Sequence, residues 1–505
     1  MSSFARYDFL IDKNSIKFIL INLCNYKFML PTTDFKLHVS SEIGTLRRIL
    51  VHSPDKGLGK VIPSKAQDWL FEDIVHLETI RSKEYDLYTK ILLYFLDPEK
   101  IQNLADKNST RDFYKPGKSA FHSSKKVIEL EALLIEILDD LNVRQQLVAA
   151  VCATESCTYQ QQQQLLNLSS VQLSVLLISG TMPDGKIFFA PIPNLIFTRD
   201  LGTTINNHVL LNKPARKPRS REALLTKYIF FNHPFFENYK QNIIEVPQSD
   251  QHFLIPEGEI DAQNTLEGGD VMMVSKNHLL IGCGERTTPQ AASAVIKILF
   301  ARNVVQKVTV IKIPHKRDFM HLDTVFTQVK KNVWVLLSSL FNAEENQENR
   351  SPIDHLIETK KTDQPEIIQF ENGRINTPRR FGKLEELLNE ISQNELNSTK
   401  PTEFIYSGNN IFPHDSREQW TDSCNLLALK EGVILGYDRN DKTLSAFAAK
   451  GFTIINAADL LQKFENNEIN PENISNTVIT FPSAELSRAR GGFHCMSMPL
   501  FRDEI

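Results

Sequence analysis

The chain has 505 residues, of which 41% are apolar and 23% charged, with a formal net charge of −4. That is room for two or three domains, or for one large fold with insertions, and enough apolar side chain to bury a sizeable core. With no basic excess, nucleic acid is not expected as a partner, and the apolar run at 19–23 is too short to span a bilayer.

Residues 1–33 read as an N-terminal extension, with 1–28 a loose piece translated only from an upstream start. Asp8, Asp12 and Lys13 distinguish it from a signal peptide. The six cysteines, Cys24, Cys152, Cys157, Cys283, Cys424 and Cys495, form no CxxC pair. They point to a reducing compartment, the cytoplasm, and away from structural zinc.

Arg47 to Val51 reads as a short buried strand ended by a turn at Pro54. Leu70, Ile74 and Leu77, then Tyr88, Ile91, Leu92 and Phe95, keep amphipathic helical spacing. Leu130, Leu133, Leu134, Ile137, Leu138 and Leu141 do so more cleanly, and the glutamines Gln160 to Gln164 suit a solvated helix or loop. Residues 67–174 are therefore expected to form a helical insertion that packs on the main domain.

Beyond it the pattern changes to strand pairs. The segments 195–198 and 209–211 form one pair; 271–274 and 279–282 form the next, followed by a helix with Thr288 as N-cap and Pro289 in its first turn, and a strand at 308–314. The pairs 323–327 with 333–337 and 424–429 with 433–437 repeat the unit, the last with a helix near 445–450 and a strand at 452–455. Such a degenerate repeat packs each unit on its neighbours, often around an axis. Residues 342–403 are expected to be a second insertion, partly helical near 384–391 and partly mobile.

Polar clusters sit at corresponding edges of these units: Asn194 to Asp200, followed by Arg216; Glu267-Gly268-Gly269-Asp270, followed by Arg286; His321-Leu322-Asp323; and Arg490 with Cys495. Taken singly each has a bland reading, as a buried free thiol, a structural histidine, a turn or a surface ion pair. Together they place one Cys, one His and several carboxylates at one edge of a repeated structure, the ingredients of covalent catalysis. On an extended segment His321 and Asp323 share a face. Carboxylates beside a thiol raise its pKa unless the substrate brings positive charge. A planar guanidinium does, and it matches carboxylates bidentately. Arg216, Arg286 and Arg490 would then hold a carboxylate at its far end.

The runs PNLIFTRD (193–200), PAR (214–216), LEGGD (266–270), GERT (284–287), FMHLDTVFTQV (319–329), REQWTDSCN (417–425), YDRN (437–440) and ELSRARGGFHCMSMPL (485–500) resemble, in order, the arginine deiminase family of the guanidino-group-modifying superfamily. LFEDIVHLE at 70–78 is similar to the family's first inserted helix. The resemblance implies an α/β fold, a five-bladed α/β propeller (pentein) formed by 34–66 and 175–505. It also implies hydrolysis of L-arginine to L-citrulline and ammonia without metal or organic cofactor. Cys495 would be the nucleophile, Asp200 and Asp323 the guanidinium grip, and His321, oriented by Glu267, the acid and base. Arg216, Arg286 and Arg490 would clamp the carboxylate, with Asn194, Phe197 and Asp270 completing the pocket. The run Asp422-Ser423-Cys424-Asn425 departs from the family's glycine-containing turn. An amidinotransferase, an arginine dihydrolase and a non-catalytic binding homologue are the alternatives, and the sequence leaves open whether the chain forms a homo-oligomer.

Overall fold

Short apolar runs separated by polar turns form antiparallel strand pairs in the computed structural model, which describes residues 35–66, 69, 71, 73–102, 112–247, 264–338 and 366–505. Strand β1 (Leu46–Val51) pairs antiparallel with β18 (Met498–Arg502) and parallel with β2 (Val127–Glu129). The same arrangement, an antiparallel pair extended by a parallel third strand, recurs in four more sheets of the described residues. These are β3 (Gly202–Ile205), β4 (His208–Leu211) and β5 (Ile243–Glu245); and β6 (Val271–Ser275), β7 (His278–Cys283) and β8 (Lys307–Lys312). The next comprises β9 (Phe326–Lys330), β10 (Val333–Leu336) and β13 (Glu403–Tyr406). In the last, β14 (Leu427–Lys430) and β15 (Val433–Tyr437) are joined by β17 (Thr477–Phe481), with β16 (Thr453–Asn456) at the edge.

A parallel neighbour cannot be reached by a tight turn, so helices such as Ser220–Asn232 and Pro289–Ala301 make the crossovers. In the second of these, Thr288 caps the helix by accepting from the Ala291 amide. Strands β6 and β7 are buried throughout, as expected where both sheet faces are covered. The protein is a mixed α/β structure.

The polar clusters do not lie in the strands themselves. Segment 195–198 was expected as a strand; instead 3₁₀ turns run through Pro193–Ile196 and Thr198–Leu201, and β3 starts only at Gly202. The Arg199 amide is drawn off to the Cys495 carbonyl at 3.1 Å rather than into a ladder. Gly268–Asp270 before β6 and Leu322–Thr324 before β9 are 3₁₀ turns as well, and hydrogen-bonded turns at 421–424 and 493–496 precede β14 and β18. Strands would have alternated these side chains between two sheet faces. The turns instead gather them at the strand mouths. His321 and Asp323 consequently do not share a face: His321 reaches Glu267, and Asp323 reaches His494.

Within 67–174 the described helices include Tyr85–Leu96, Leu130–Leu138, Leu141–Thr154, Tyr159–Leu166 and Ser170–Ser179. The glutamine run is the middle of one of these, closed by a Thr158–Gln161 capping box. Two expectations fail here. Residues 73–76 are not helical, and Ile74 is 40% exposed. Asp73 pairs with Arg488, the His76 amide donates to Glu485, and the helix starts only after the His76 cap. Leu141 is 70% exposed, because Asp140 caps a new helix there and breaks the preceding periodicity.

Of the expected second insertion, 342–365 lies outside the described residues, as do 1–34 with Cys24. The remainder adds β11 (Glu366–Glu371) and β12 (Arg379–Phe381) to the edge of β8. It then packs Leu384, Leu387, Leu388 and Ile391 around the buried Trp334. Glu395 pins this segment to the sheet by accepting from Ser275 Oγ (2.9 Å), His278 Nδ1 (3.0 Å) and Lys307 Nζ (3.2 Å). Burial would raise its carboxyl, but His278 and Lys307 outweigh that and hold it near about 2, below the ordinary 4.5. A value depressed on folding stabilises the protein fully above pH 4.5 and is lost as the pH falls toward about 2. Glu395→Gln is expected to cost about 3 kcal/mol at pH 7 and to flatten acid unfolding over that window. An unchanged melting temperature at pH 7 would refute the anchor.

Candidate active site

The strand mouths converge on a narrow cavity. Its walls include Asn194, Phe197, Asp200, Arg219, Arg286, His321, Arg490 and Cys495. Cys495 is held by one side chain at both its backbone amide and its sulfur. Its amide donates to Asn425 Oδ1 (3.0 Å), and Asn425 Nδ2 donates to Sγ (3.1 Å). The preceding glycine is required by this closeness: a Cβ on Gly492 would stand 2.5 Å from the Asn425 carbonyl. Asp323 Oδ2 lies 3.6 Å from the sulfur.

Beside the thiol, His321 Nε2 is 2.8 Å from Glu267 Oε2, and its Nδ1 is 3.9 Å from Asp200 Oδ1. Arg219 Nη1 bridges Asp200 (2.9 Å) and Glu267 (3.4 Å), while its Nε binds Glu222 (2.9 Å). Beneath Asp323 lies a buried relay. Arg199 Nη2 meets Glu42 Oε1 (2.6 Å) and His494 Nε2 (2.7 Å), and His494 Nδ1 meets Asp323 Oδ2 (2.7 Å). His494 Nε2 also lies 3.3 Å from Glu42 Oε2. The buried carboxylate oxygens Asp200 Oδ1, Asp270 Oδ2, Asp323 Oδ1 and Asp422 Oδ2 have no hydrogen-bond partner among the described residues.

The sequence-derived candidates fall into three groups. Asn194, Phe197, Asp200, Arg286, His321, Arg490 and Cys495 line the cavity. Glu267, Asp270 and Asp323 are fully buried behind it; Asp270 Oδ1 accepts from the Leu322 amide at 2.9 Å and so fixes the turn between His321 and Asp323. Arg216 is outside. Its side chain is 49% exposed and lies 3.9 Å from Glu285, and Arg219, one 3₁₀ turn later, takes the place in the cavity wall. Arg219, Asn425, His494, Arg199 and Glu42 were missed. Asn425 carried a signal, since it stands at the same edge of the fourth strand pair as Asp200 and Asp323 do in theirs.

Burial pushes the Cys495 thiol well above its ordinary range, and Asp323, Asp200 and Asp422 push it further, with the Asn425 hydrogen bond acting the other way. For His321, burial would lower the imidazole, but Asp200, Glu267 and Asp270 hold it up at about 10. Glu267 lies well below the carboxylate range because Arg219, Arg286 and His321 outweigh its burial. At neutral pH the resting centre therefore holds a thiol and an imidazolium. Asp200, Glu267 and His321 each offer one potential metal-ligand atom within 4.8 Å of the others. Arg219 and the imidazolium already balance both carboxylates, so a divalent cation would have to displace protein cations.

Fold and site together define a mixed α/β protein whose repeated strand mouths enclose a buried thiol, imidazole and carboxylates. The chain belongs to the arginine deiminase family, whose profile matches residues 176–502. Among curated relatives, Arginine deiminase 1 of Staphylococcus epidermidis is 28% identical over 478 residues, covering 93% of this chain and 99% of its own. Arginine deiminase of Oenococcus oeni is 29% identical over 484 residues, covering 94% and 99%. Among solved structures, SxtG, an amidinotransferase from Microseira wollei, is similar at 12% identity with a TM-score of 0.41, covering 93% of this chain and 98% of its own.

Two tests follow from the geometry. A Cβ on Gly269 would lie 2.7 Å from the His321 ring, so Gly269→Ala must displace the imidazole. A loss of about 10²-fold in kcat is expected, with the melting temperature little changed; wild-type kcat in a folded variant would show that His321 tolerates displacement. Alkylation of Cys495 by iodoacetamide should be slow at neutral pH and still rising above pH 9, and slower in Asn425→Ala. A rate that plateaus below pH 8 would contradict the raised thiol.

Proposed function

We propose that this chain hydrolyses L-arginine to L-citrulline and ammonia through a covalent intermediate on Cys495. The observation that carries the assignment is the pair of unpartnered buried oxygens, Asp200 Oδ1 and Asp323 Oδ1, beside a thiol. A buried acceptor needs a donor, and a guanidinium supplies N–H groups to both together with the positive charge that a thiolate there requires. The fold we assign is a five-bladed α/β propeller, with 34–66 and 175–505 as its catalytic part and 67–174 inserted. Its five similar sheets support this reading.

Binding of the cationic substrate offsets the carboxylates and lets the thiol lose its proton to solvent water. The thiolate attacks the guanidinium carbon, forming a C–S bond. The C–N bond then breaks as His321 gives its proton to the departing ammonia. Now neutral, His321 takes one proton from water, which attacks the same carbon; the C–S bond breaks as the remaining hydroxyl proton passes to the departing sulfur, leaving citrulline and the free thiol. One histidine serves as acid and then base because Glu267 holds it in place through both halves. Arg286 and Arg490 line the cavity and clamp the substrate carboxylate, while Arg219 stays paired with Asp200, Glu222 and Glu267. No step draws on a metal or organic cofactor, and the reaction is placed in the cytoplasm on the cysteine pattern. No helix among the described residues is long and apolar enough to cross a membrane.

Purified protein given L-arginine alone is expected to yield one citrulline and one ammonia per arginine, and Cys495→Ala to abolish turnover while retaining the fold. Two ammonia with ornithine, ornithine formed only with an added amine acceptor, or full activity in Cys495→Ala would each overturn this reading.

A further inference from the structure

Arg490 sits in a backbone conformation that disfavours every residue except glycine and a few small polar ones, at φ 61° and ψ 83° just past the helix Leu486–Ala489. A long, flexible side chain leaving such a point has no preferred direction of its own. Its guanidinium carbon nevertheless lies 3.7 Å from the centre of the Trp420 ring, and Nη2 donates to the Asp318 carbonyl at 3.2 Å. That carbonyl also accepts from Gln419 Nε2 at 2.8 Å, and Gln419 reaches the Thr324 carbonyl at 3.3 Å. One short helix, His414–Trp420, thus contacts Arg490 and ties down the loop on both sides of His321.

We propose that Trp420 is a positioning residue for the reaction, the platform that holds the Arg490 guanidinium over the cavity toward the substrate's carboxylate. The inference rests on the reading of Arg490 as part of the carboxylate clamp. An indole face suits this task better than an acidic partner would. It attracts a cation through its ring quadrupole and fixes the plane of the guanidinium. It adds no negative charge of its own beside the incoming carboxylate. Trp420 also lines a second cavity, with Phe319, Leu337, Arg417 and Arg439, whereas Arg490 lines the first. The stacked pair is the wall between the two, and removing the ring would leave the guanidinium free to swing outward.

The test is a double-variant cycle in the full chain, with KM and kcat for L-arginine measured in Trp420→Ala, Trp420→Phe, Arg490→Ala and the Trp420→Ala/Arg490→Ala pair. L-Arginine affinity is measured by calorimetry in the same variants on a Cys495→Ala background, so that a slow variant still gives a reading. Trp420→Ala should raise KM about tenfold, the size of a partly desolvated cation–π contact, with kcat within about twofold and Trp420→Phe recovering most of the loss. Added to Arg490→Ala, it should cost nothing further, because a residue acting through another is non-additive with it. Multiplying losses, or a fall mainly in kcat, would mean that Trp420 merely supports the fold and would overturn the proposal. Unchanged affinity in Arg490→Ala would overturn the clamp reading itself, a result that the single variant reports separately.

Discussion

The constraint on which this structure turns is charge balance in a dry place. Asp200, Glu267, Asp270 and Asp323 are buried around one thiol, and burial alone would make such a cluster ruinous unless each charge were paired or neutralised. The architecture answers with cations held as deeply as the anions: Arg219 between Asp200, Glu222 and Glu267, Arg199 against Glu42, and His321 as an imidazolium. Asp200 Oδ1, Asp270 Oδ2 and Asp323 Oδ1 are left without a hydrogen-bond partner among the described residues.

The same logic explains the unusual depth of the supporting network. Asp323 Oδ2 is engaged by His494, whose second nitrogen meets both Arg199 and Glu42. None of these three touches the cavity. Each fixes the orientation or tautomer of the next, so the direction of one carboxylate is set by a chain of obligate donors and acceptors rather than by its own rotamer preference.

The sequence was legible where chemistry and periodicity coincided. Strand pairs such as 271–274 with 279–282 announced themselves by apolar runs, and the polar residues at their edges flagged Asp200, Glu267, His321 and Asp323. Legibility failed where local geometry decided. In Pro214-Ala215-Arg216-Lys217-Pro218-Arg219 two arginines have equal claim, and only the 3₁₀ turn Lys217–Arg219 carries the second inward. His494 was hidden beside a more conspicuous cysteine, and Glu42 lies over 450 residues from it along the chain. The helical spacing of 70–77 was real as a pattern, but the partners of residues 73 and 76, Arg488 and Glu485, sit at the far end of the chain and overrode it. Long-range partners are what a one-dimensional pattern cannot contain.

The pairing of β1 with β18 bears on how the protein comes into being. Leu46 lies opposite Arg502, and the turn carrying Cys495 leads directly into that final strand. During synthesis every other part of the centre, from Asp200 to Asn425, leaves the ribosome before the sulfur does. The sheet that seats the thiol can close only when the newest segment finds one of the oldest, a loop closure spanning nearly the whole chain and correspondingly slow. Until that segment docks, Cys495 is not seated beside Asn425 and Asp323.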